Sequence, residues 1–301
     1  MLNDAAVVTM PNVIDYADPR VAADMANGKM NTDDEQLLKN ITASIRRGHT
    51  QWRAGPVRPE RICLVGSGPS LADTEQELRQ AIWDGAILVT LNGAYHWCIE
   101  HGLKPQTQIV MDARPSNARF LMPTVPKCNY LLASQCDPKT WDAVEDREHV
   151  WIFHAVVKQE GVASDVLDAF YAGQWIGIGG GTTVVTRAIN LLRIAGYVRY
   201  ELFGIDCCWQ GDVHHAMPQP ENVNDRWALV SAGVRDKPET MREFRVSPWQ
   251  LKQAEDLLTI MKVNGKHFIL SSHGNGMFTY LLQTLGSESL DSLLFTSGEK
   301  V

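Results

Sequence analysis

The residues of this sequence that could do chemistry fall in four groups. In the first, Gly66, Ser67, Gly68, Pro69 and Ser70 follow a short apolar run and precede a helical stretch. Glycines let backbone approach a ligand closely, and the free N–H groups at a helix start suit a phosphate. The hydroxyls of Ser67 and Ser70 add donors. The pattern is neither the GxGxxG dinucleotide fingerprint nor the GxxxxGK(S/T) loop. No lysine stands in it, so ordinary P-loop chemistry is not expected. A plain tight turn is the alternative reading. A side chain on Gly68 is expected to block a nucleotide and leave the fold intact.

The second group is Gly179, Gly180, Gly181, Thr182 and Thr183, which open a strongly apolar helix. It is a second anion cradle, or else a hinge with an ordinary threonine cap. Two such turns would suit a diphosphate or two phosphorylated ligands. The third is Asp206, with His214 and His215 eight and nine residues later. An acid at a strand end can orient an acceptor or a metal, and a histidine on a returning loop can move a proton. A plain surface pair of histidines is the alternative. Cys207 and Cys208 have no activating motif around them. The fourth is Asp112 with Arg114. Asp112 could bind a nucleotide's ribose or a divalent cation, and Arg114 could meet phosphate. A loop salt bridge is the alternative. Trp97, Trp151 and Trp249 read as core or helix-face aromatics.

These groups need elements to place them. Short apolar runs at 62–65, 86–91, 107–111, 130–133, 150–153, 200–205 and 267–270 read as strands. Helical spacing recurs at 71–83, 94–100, 140–144, 182–194 and 248–261. Strands alternating with helices predict an α/β fold, doubly wound with a mostly parallel sheet. Ligands of such sheets bind beyond the carboxyl ends of the strands, where Gly66–Ser70, Asn92, Asp112 and Asp206 fall. Residues 1–55 stand apart. They hold one helical stretch at 33–47 and read as an N-terminal arm that packs on the main domain, 56–301, or makes a homo-oligomer. The arm is expected to be dispensable for nucleotide binding.

Composition narrows the classes. Hydrophobic residues make up 45% of the 301, enough for a large core and against global disorder. A net charge of -7 argues against a general DNA or RNA binder. The six cysteines form no CxxC pair, and buried reduced thiols in the cytoplasm are expected. No apolar run reaches the roughly 20 residues of a membrane span, and the first residues do not read as a signal peptide.

Together, GSGPSL, LNGAYHWCIEHGLKPQTQIVMDARPSNARF, GGGTTVVTRAINLL and ELFGIDCCW, with His214 and His215 following, resemble the MptE-like family. That family is named for an archaeal 6-hydroxymethylpterin diphosphokinase. It also includes Maf-type flagellin-modification proteins and many phage or prophage proteins, the branch this sequence looks most like. The motif order is also similar to that of bacterial sialyltransferases that use CMP-sialic acid. The resemblance implies a Rossmann-like fold with a nucleotide in its cleft. Gly66, Gly68 and Ser70 would touch the nucleotide and Asn92 would lie nearby. Gly180, Gly181 and Thr182 would form the second cradle, and His214 or His215 would be the base. Two departures stand out. Asp112 lacks the neighbouring acids of the archaeal metal motif, and Tyr197 and Tyr200 lie in the wrong place for the sialyltransferase tyrosines. The expected function is transfer of a diphosphoryl group from ATP, with Mg²⁺, or of a sugar from a nucleotide-sugar. The acceptor is a small molecule or a macromolecule. A non-catalytic nucleotide-binding or virion-associated phage protein is the alternative.

Overall fold

Continuous apolar runs such as Ile62–Val65 are the mark of strands covered on both faces, and they form the middle of one large parallel sheet. The computed structural model describes residues 14–15, 32–156, 162–217, 226–234, 237–265 and 268–294. The strands are β1 (Ile14–Asp15), β2 (Thr50–Gln51), β3 (Arg58–Val65), β4 (Ile87–Leu91), β5 (Thr107–Val110), β6 (Asn129–Ala133), β7 (Val150–Ala155), β8 (Gly177–Ile178), β9 (Tyr197–Phe203), β10 (Ala228–Ala232), β11 (Arg242–Val246) and β12 (Ile269–Ser272). The helices are α1 (Asp34–Ile45), α2 (Glu75–Trp83), α3 (Ala94–Glu100), α4 (Pro138–Asp142), α5 (Val162–Tyr171), α6 (Val184–Ile194), α7 (Pro248–Asn264) and α8 (Met277–Leu294).

The parallel sheet has the order β12-β9-β3-β4-β5-β6-β7-β2, with β8 also pairing to β7. This is the doubly wound, Rossmann-like arrangement that the alternation of elements predicts. From β3 the chain steps outward strand by strand to β7 and β8. Helix α6 then carries it back, so that β9 pairs with the other side of β3. The strand order therefore reverses between β3 and β9, and ligands of such sheets bind beyond the carboxyl ends at that point.

Two features went unread in the sequence. Strands β1, β10 and β11 form a separate antiparallel sheet. Its Val230, Ala232, Phe244 and Val246 join the main core. Helices α5 and α8 complete the layers.

The segment read as an arm is tied into the domain. Asp33 caps α1 by accepting the Gln36 N–H at 2.8 Å, and Ile41 and Ile45 enter the core. Asn40 Nδ2 donates to the carbonyls of Ala113 and Gln135, and Ser44 Oγ to that of Ser134. Strand β2 pairs with β7, and Trp52 Nε1 donates to the Leu191 carbonyl at 3.0 Å. Residues 1–13 and 16–31 of that segment lie outside the described residues. Among the described residues no helix is long and apolar enough to cross a membrane.

Candidate functional site

Strand β3 ends in the 66–70 turn, and β9 ends beside it in Gly204-Ile205-Asp206. The two turns dock backbone to backbone. Gly66 N–H donates to the Phe203 carbonyl at 2.9 Å and Gly68 N–H to the Gly204 carbonyl at 2.7 Å. A Cβ on Gly68 would sit 2.6 Å from the Gly204 oxygen and closer still to the Asp206 carboxylate. A third turn, after β12, closes on the pair: a Cβ on Gly274 would meet Ser70 Oγ, and one on Gly276 would meet Asp206 Cα, both at 2.5 Å. The glycines of the first motif are therefore needed for the approach of other backbone. The expectation that a side chain on Gly68 leaves the fold intact is corrected on that ground.

Asp206 lies at the centre of these turns and is 2% exposed. Its Oδ2 accepts the Ser70 backbone N–H at 3.0 Å, its carbonyl accepts from Phe278 N–H, and its Oδ1 has no partner among the described residues. Burial pushes the carboxyl above its ordinary range, opposed by donation from Ser70. The N–H that the sequence offers to a phosphate is thus taken by an internal carboxylate.

The loop after Asp206 folds back over the first turn. Trp209 anchors it, with its N–H on the Arg245 carbonyl at 2.8 Å and its Nε1 on Ser247 Oγ at 2.9 Å. Ala216 N–H donates to the Ser67 carbonyl at 2.7 Å. This return brings His215 Nδ1 to 3.2 Å from Ser67 Oγ. His214 packs 4.0 Å from the Trp209 ring and 4.5 Å from His215. Trp249, read from sequence as a core or helix-face aromatic, lies nearly parallel to His215 at 6.0 Å. Ser67, Gly68, Ser70, Asp206 and His215 are therefore gathered from two distant stretches of chain.

Asn92 ends β4, next to β3, with a left-handed backbone (φ 44°), which asparagine tolerates better than most residues. Its carbonyl accepts from Gln108 Nε2, and its buried Oδ1 has no partner among the described residues. Asp112, beyond β5, is engaged in its own loop. Arg114 Nε meets both carboxylate oxygens at 3.0 Å, a second guanidinium nitrogen reaches Oδ2 at 2.5 Å, and the Arg114 N–H meets Oδ1 at 2.9 Å. Among the described residues no group of three His, Cys, Asp or Glu could hold a metal.

The second glycine turn leaves β8, which pairs with β7, four strand positions from β3 in the sheet. Gly180 and Gly181 are left-handed. Thr182 donates its N–H to Asp256 Oδ2 at 3.0 Å and its hydroxyl to the same oxygen at 3.2 Å. Thr183 is the N-cap residue of α6, but its hydroxyl caps no backbone N–H. The buried Arg187 holds the turn from below through the carbonyls of Val156, Ile178 and Gly181. Asp256 and Arg187 escaped sequence reading. Nothing in the spacing of an acid on α7, 74 residues after Thr182, announces that contact.

All six cysteines are buried and free, and burial raises their thiols, Cys63 and Cys208 to about 12. None of them supplies a thiolate nucleophile at neutral pH.

The structure of MAf glycosyltransferase from Magnetospirillum magneticum AMB-1 superposes with a TM-score of 0.57 at 14% identity, over 94% of this chain and 49% of that one. This chain therefore spans about half the length of that one, and at this identity the likeness is one of fold. No curated protein matches the sequence. The family model described as 6-hydroxymethylpterin diphosphokinase MptE-like matches residues 35–212. That stretch is more than half of the chain, and it holds both glycine turns, Asn92, Asp112 and Asp206. The chain belongs to the MptE-like family.

Proposed function

We propose that this protein is a transferase that holds a nucleotide donor in the crevice between β3 and β9 and moves a sugar from it. One observation carries the reading: where the strand order reverses, the 66–70 turn, Asp206 and the Ser67–His215 pair meet under one returning loop. In this reading Gly66, Ser67, Gly68, Pro69 and Ser70 line the nucleotide on one side and Asn92 Oδ1 meets it on the other. Asp206 holds the turn in shape through Ser70, and so acts as a positioning residue.

The transfer breaks the bond between the donor's anomeric carbon and its phosphate oxygen, and forms one from that carbon to an acceptor oxygen. The acceptor's proton must go somewhere, and the nucleotide leaves as its phosphate. His215 is the base. With Nδ1–H donating a hydrogen bond to Ser67 Oγ, Nε2 is the acceptor of the hydroxyl proton. Trp249 keeps the ring in plane.

Diphosphoryl transfer from ATP is the second reading, favoured by the family's description. It needs Mg²⁺ on the phosphates. The residues present do not make such a site on their own: Asp112 is committed to Arg114, and among the described residues no group of three His, Cys, Asp or Glu could hold a metal. The fold of the Maf glycosyltransferase agrees with sugar transfer.

The test is a thermal-shift and turnover panel of CMP-sialic acid, UDP-sugars, CMP and ATP, each with and without Mg²⁺. A sugar nucleotide should stabilise the protein, by about 2.7 kcal/mol at a hundredfold excess over Kd. His215→Ala should lower kcat by roughly 10²- to 10⁴-fold with little change in donor affinity. Release of AMP from ATP would select the second reading, and a panel in which no nucleotide stabilises the fold would overturn both.

A further inference from the structure

Gln108 is an amide set in an apolar core. It is the second residue of β5, a strand buried along its whole length, and is itself wholly buried. Burying an amide costs free energy unless its hydrogen bonds are made inside the fold. Gln108 makes them with three neighbours. Its Oε1 accepts from Thr90 Oγ1 at 2.7 Å, in register across β4 and β5. Its Nε2 donates to the carbonyls of Asn92 and Phe120, both at 3.0 Å. Thr90 is wholly buried as well. The chain from Thr90 through Gln108 to Asn92 therefore runs from the core to the carboxyl end of β4.

Asn92, where that chain ends, carries two costs. Its backbone is left-handed, and its Oδ1 is buried with no partner among the described residues. A left-handed residue other than glycine is less favourable, and an unmatched buried acceptor adds its desolvation. An apolar residue at 108 would fill the strand without any network, and glycine at 92 would take the turn without strain. What the residues present produce instead is a fixed, unmatched acceptor at the end of the strand beside β3, which carries the 66–70 turn.

We propose that Gln108 is a positioning residue of the nucleotide site: with Thr90 it fixes the Asn92 carbonyl, and so holds Asn92 Oδ1 where it meets a hydrogen-bond donor of the bound nucleotide. This rests on the transferase reading, in which Asn92 touches the donor; Gln108 itself touches no ligand. The group that Oδ1 meets is a hydroxyl or an amino group, because an ionised phosphate has no hydrogen to give. Contacts remain to keep the turn when Gln108 is replaced. Thr90 Oγ1 also reaches the Thr107 carbonyl at 3.3 Å, and the Asn92 carbonyl also accepts the Tyr95 N–H at 3.3 Å.

The experiment is a double-mutant cycle on the whole chain, with CMP, UDP and ATP each titrated calorimetrically. Asn92→Gly keeps the left-handed turn and removes the acceptor, so a nucleotide that binds the wild type should bind about tenfold more weakly. Gln108→Met, of similar volume, should weaken it about three- to tenfold. In the Asn92→Gly background the same Gln108→Met change should have no further effect on affinity, because the side chain it steers is gone. A purely structural role predicts losses that multiply. Thr90→Val leaves the Gln108 amide free to turn. It gives a second arm, with the same loss and the same disappearance in the Asn92→Gly background, should Gln108→Met fail to fold. Unchanged affinity in a folded Gln108→Met protein, or losses that multiply in the double variant, would overturn the proposal and leave the transferase reading standing. Binding of none of the three nucleotides to the wild type would overturn that reading, and the proposal with it.

Discussion

Replacing Gly68 with alanine should destabilise the protein before any ligand is added. The added Cβ would lie 2.6 Å from the Gly204 carbonyl oxygen, 2.9 Å from its carbon, and nearest of all to Asp206 Oδ2. Two of these atoms are backbone, and the carboxylate is pinned by Ser70 N–H, so nothing flexible can give way. Overpacking of this kind costs about 1–3 kcal/mol. For a chain of this length each kcal/mol moves Tm by about 2–4 °C, so a fall of roughly 2–12 °C is expected. Gly179→Ala is the control, because nothing lies within 4 Å of its added Cβ and its φ is not in the left-handed region. It should stay within about 0.5 kcal/mol of wild type. Scanning fluorimetry of the three ligand-free proteins decides the matter. A Gly68→Ala protein that melts with the wild type would refute the view that this glycine serves the contact between the β3 and β9 turns. Its effect on nucleotide binding would then be direct.

Four further outcomes follow from the same contacts. A chain begun at Arg58 loses Ile41 and Ile45 from the core and β2 from the sheet edge; at about 1.5–3 kcal/mol per buried isoleucine it should be insoluble or lack a cooperative melt, checked by circular dichroism. Asp206→Asn should gain on the wild type as pH rises: the folded carboxyl titrates above its unfolded value, so the wild type's advantage is complete in acid and is lost as pH climbs through that raised value. A constant gap in Tm from pH 4 to 8 would contradict this. His154 behaves oppositely, since its folded value is depressed from 6.5 to about 4: stability is full above pH 6.5 and falls by about 3 kcal/mol as pH drops through 4, a loss that His154→Phe should not show in pH-dependent denaturant melts. Asp256→Ala strips both Thr182 donors of their acceptor and should cost about 1 kcal/mol in urea unfolding, in the range of a lost helix cap.

The legible parts were those set by local pattern. Ile62–Val65, Tyr130–Ala133 and the apolar face of α6 announce themselves because burial on both faces, or on one helical stripe, leaves a mark in consecutive residues. The antiparallel β10–β11 pair carried no such mark: its strands alternate over only five residues each, and exposed Leu229 sits beside buried Val230. The segment at 34–52 looked detachable because its buried face is narrow. Its ties to Ala113, Ser134 and Gln135 are made to backbone, which leaves no trace in the identity of those partners.

By itself the sequence determined the class of fold and the strand ends that face one another's side of the sheet, since alternating periods of two and 3.6 residues demand parallel strands joined by helices. It also determined that Gly66–Ser70, Asn92, Asp112 and Asp206 would share one edge. Which of them meet was decided only by tertiary structure. Strand order is a matter of pairing between segments more than a hundred residues apart, and no local pattern encodes it. That pairing put β9 beside β3, and so brought Asp206 onto Ser70 and His215 onto Ser67. It left Asp112 to Arg114 and set the second glycine turn against Asp256. Both turns look alike as strings of glycine and hydroxyl residues, yet each is filled by a carboxylate from a remote element, because a free N–H at a helix start attracts whichever anion the fold delivers.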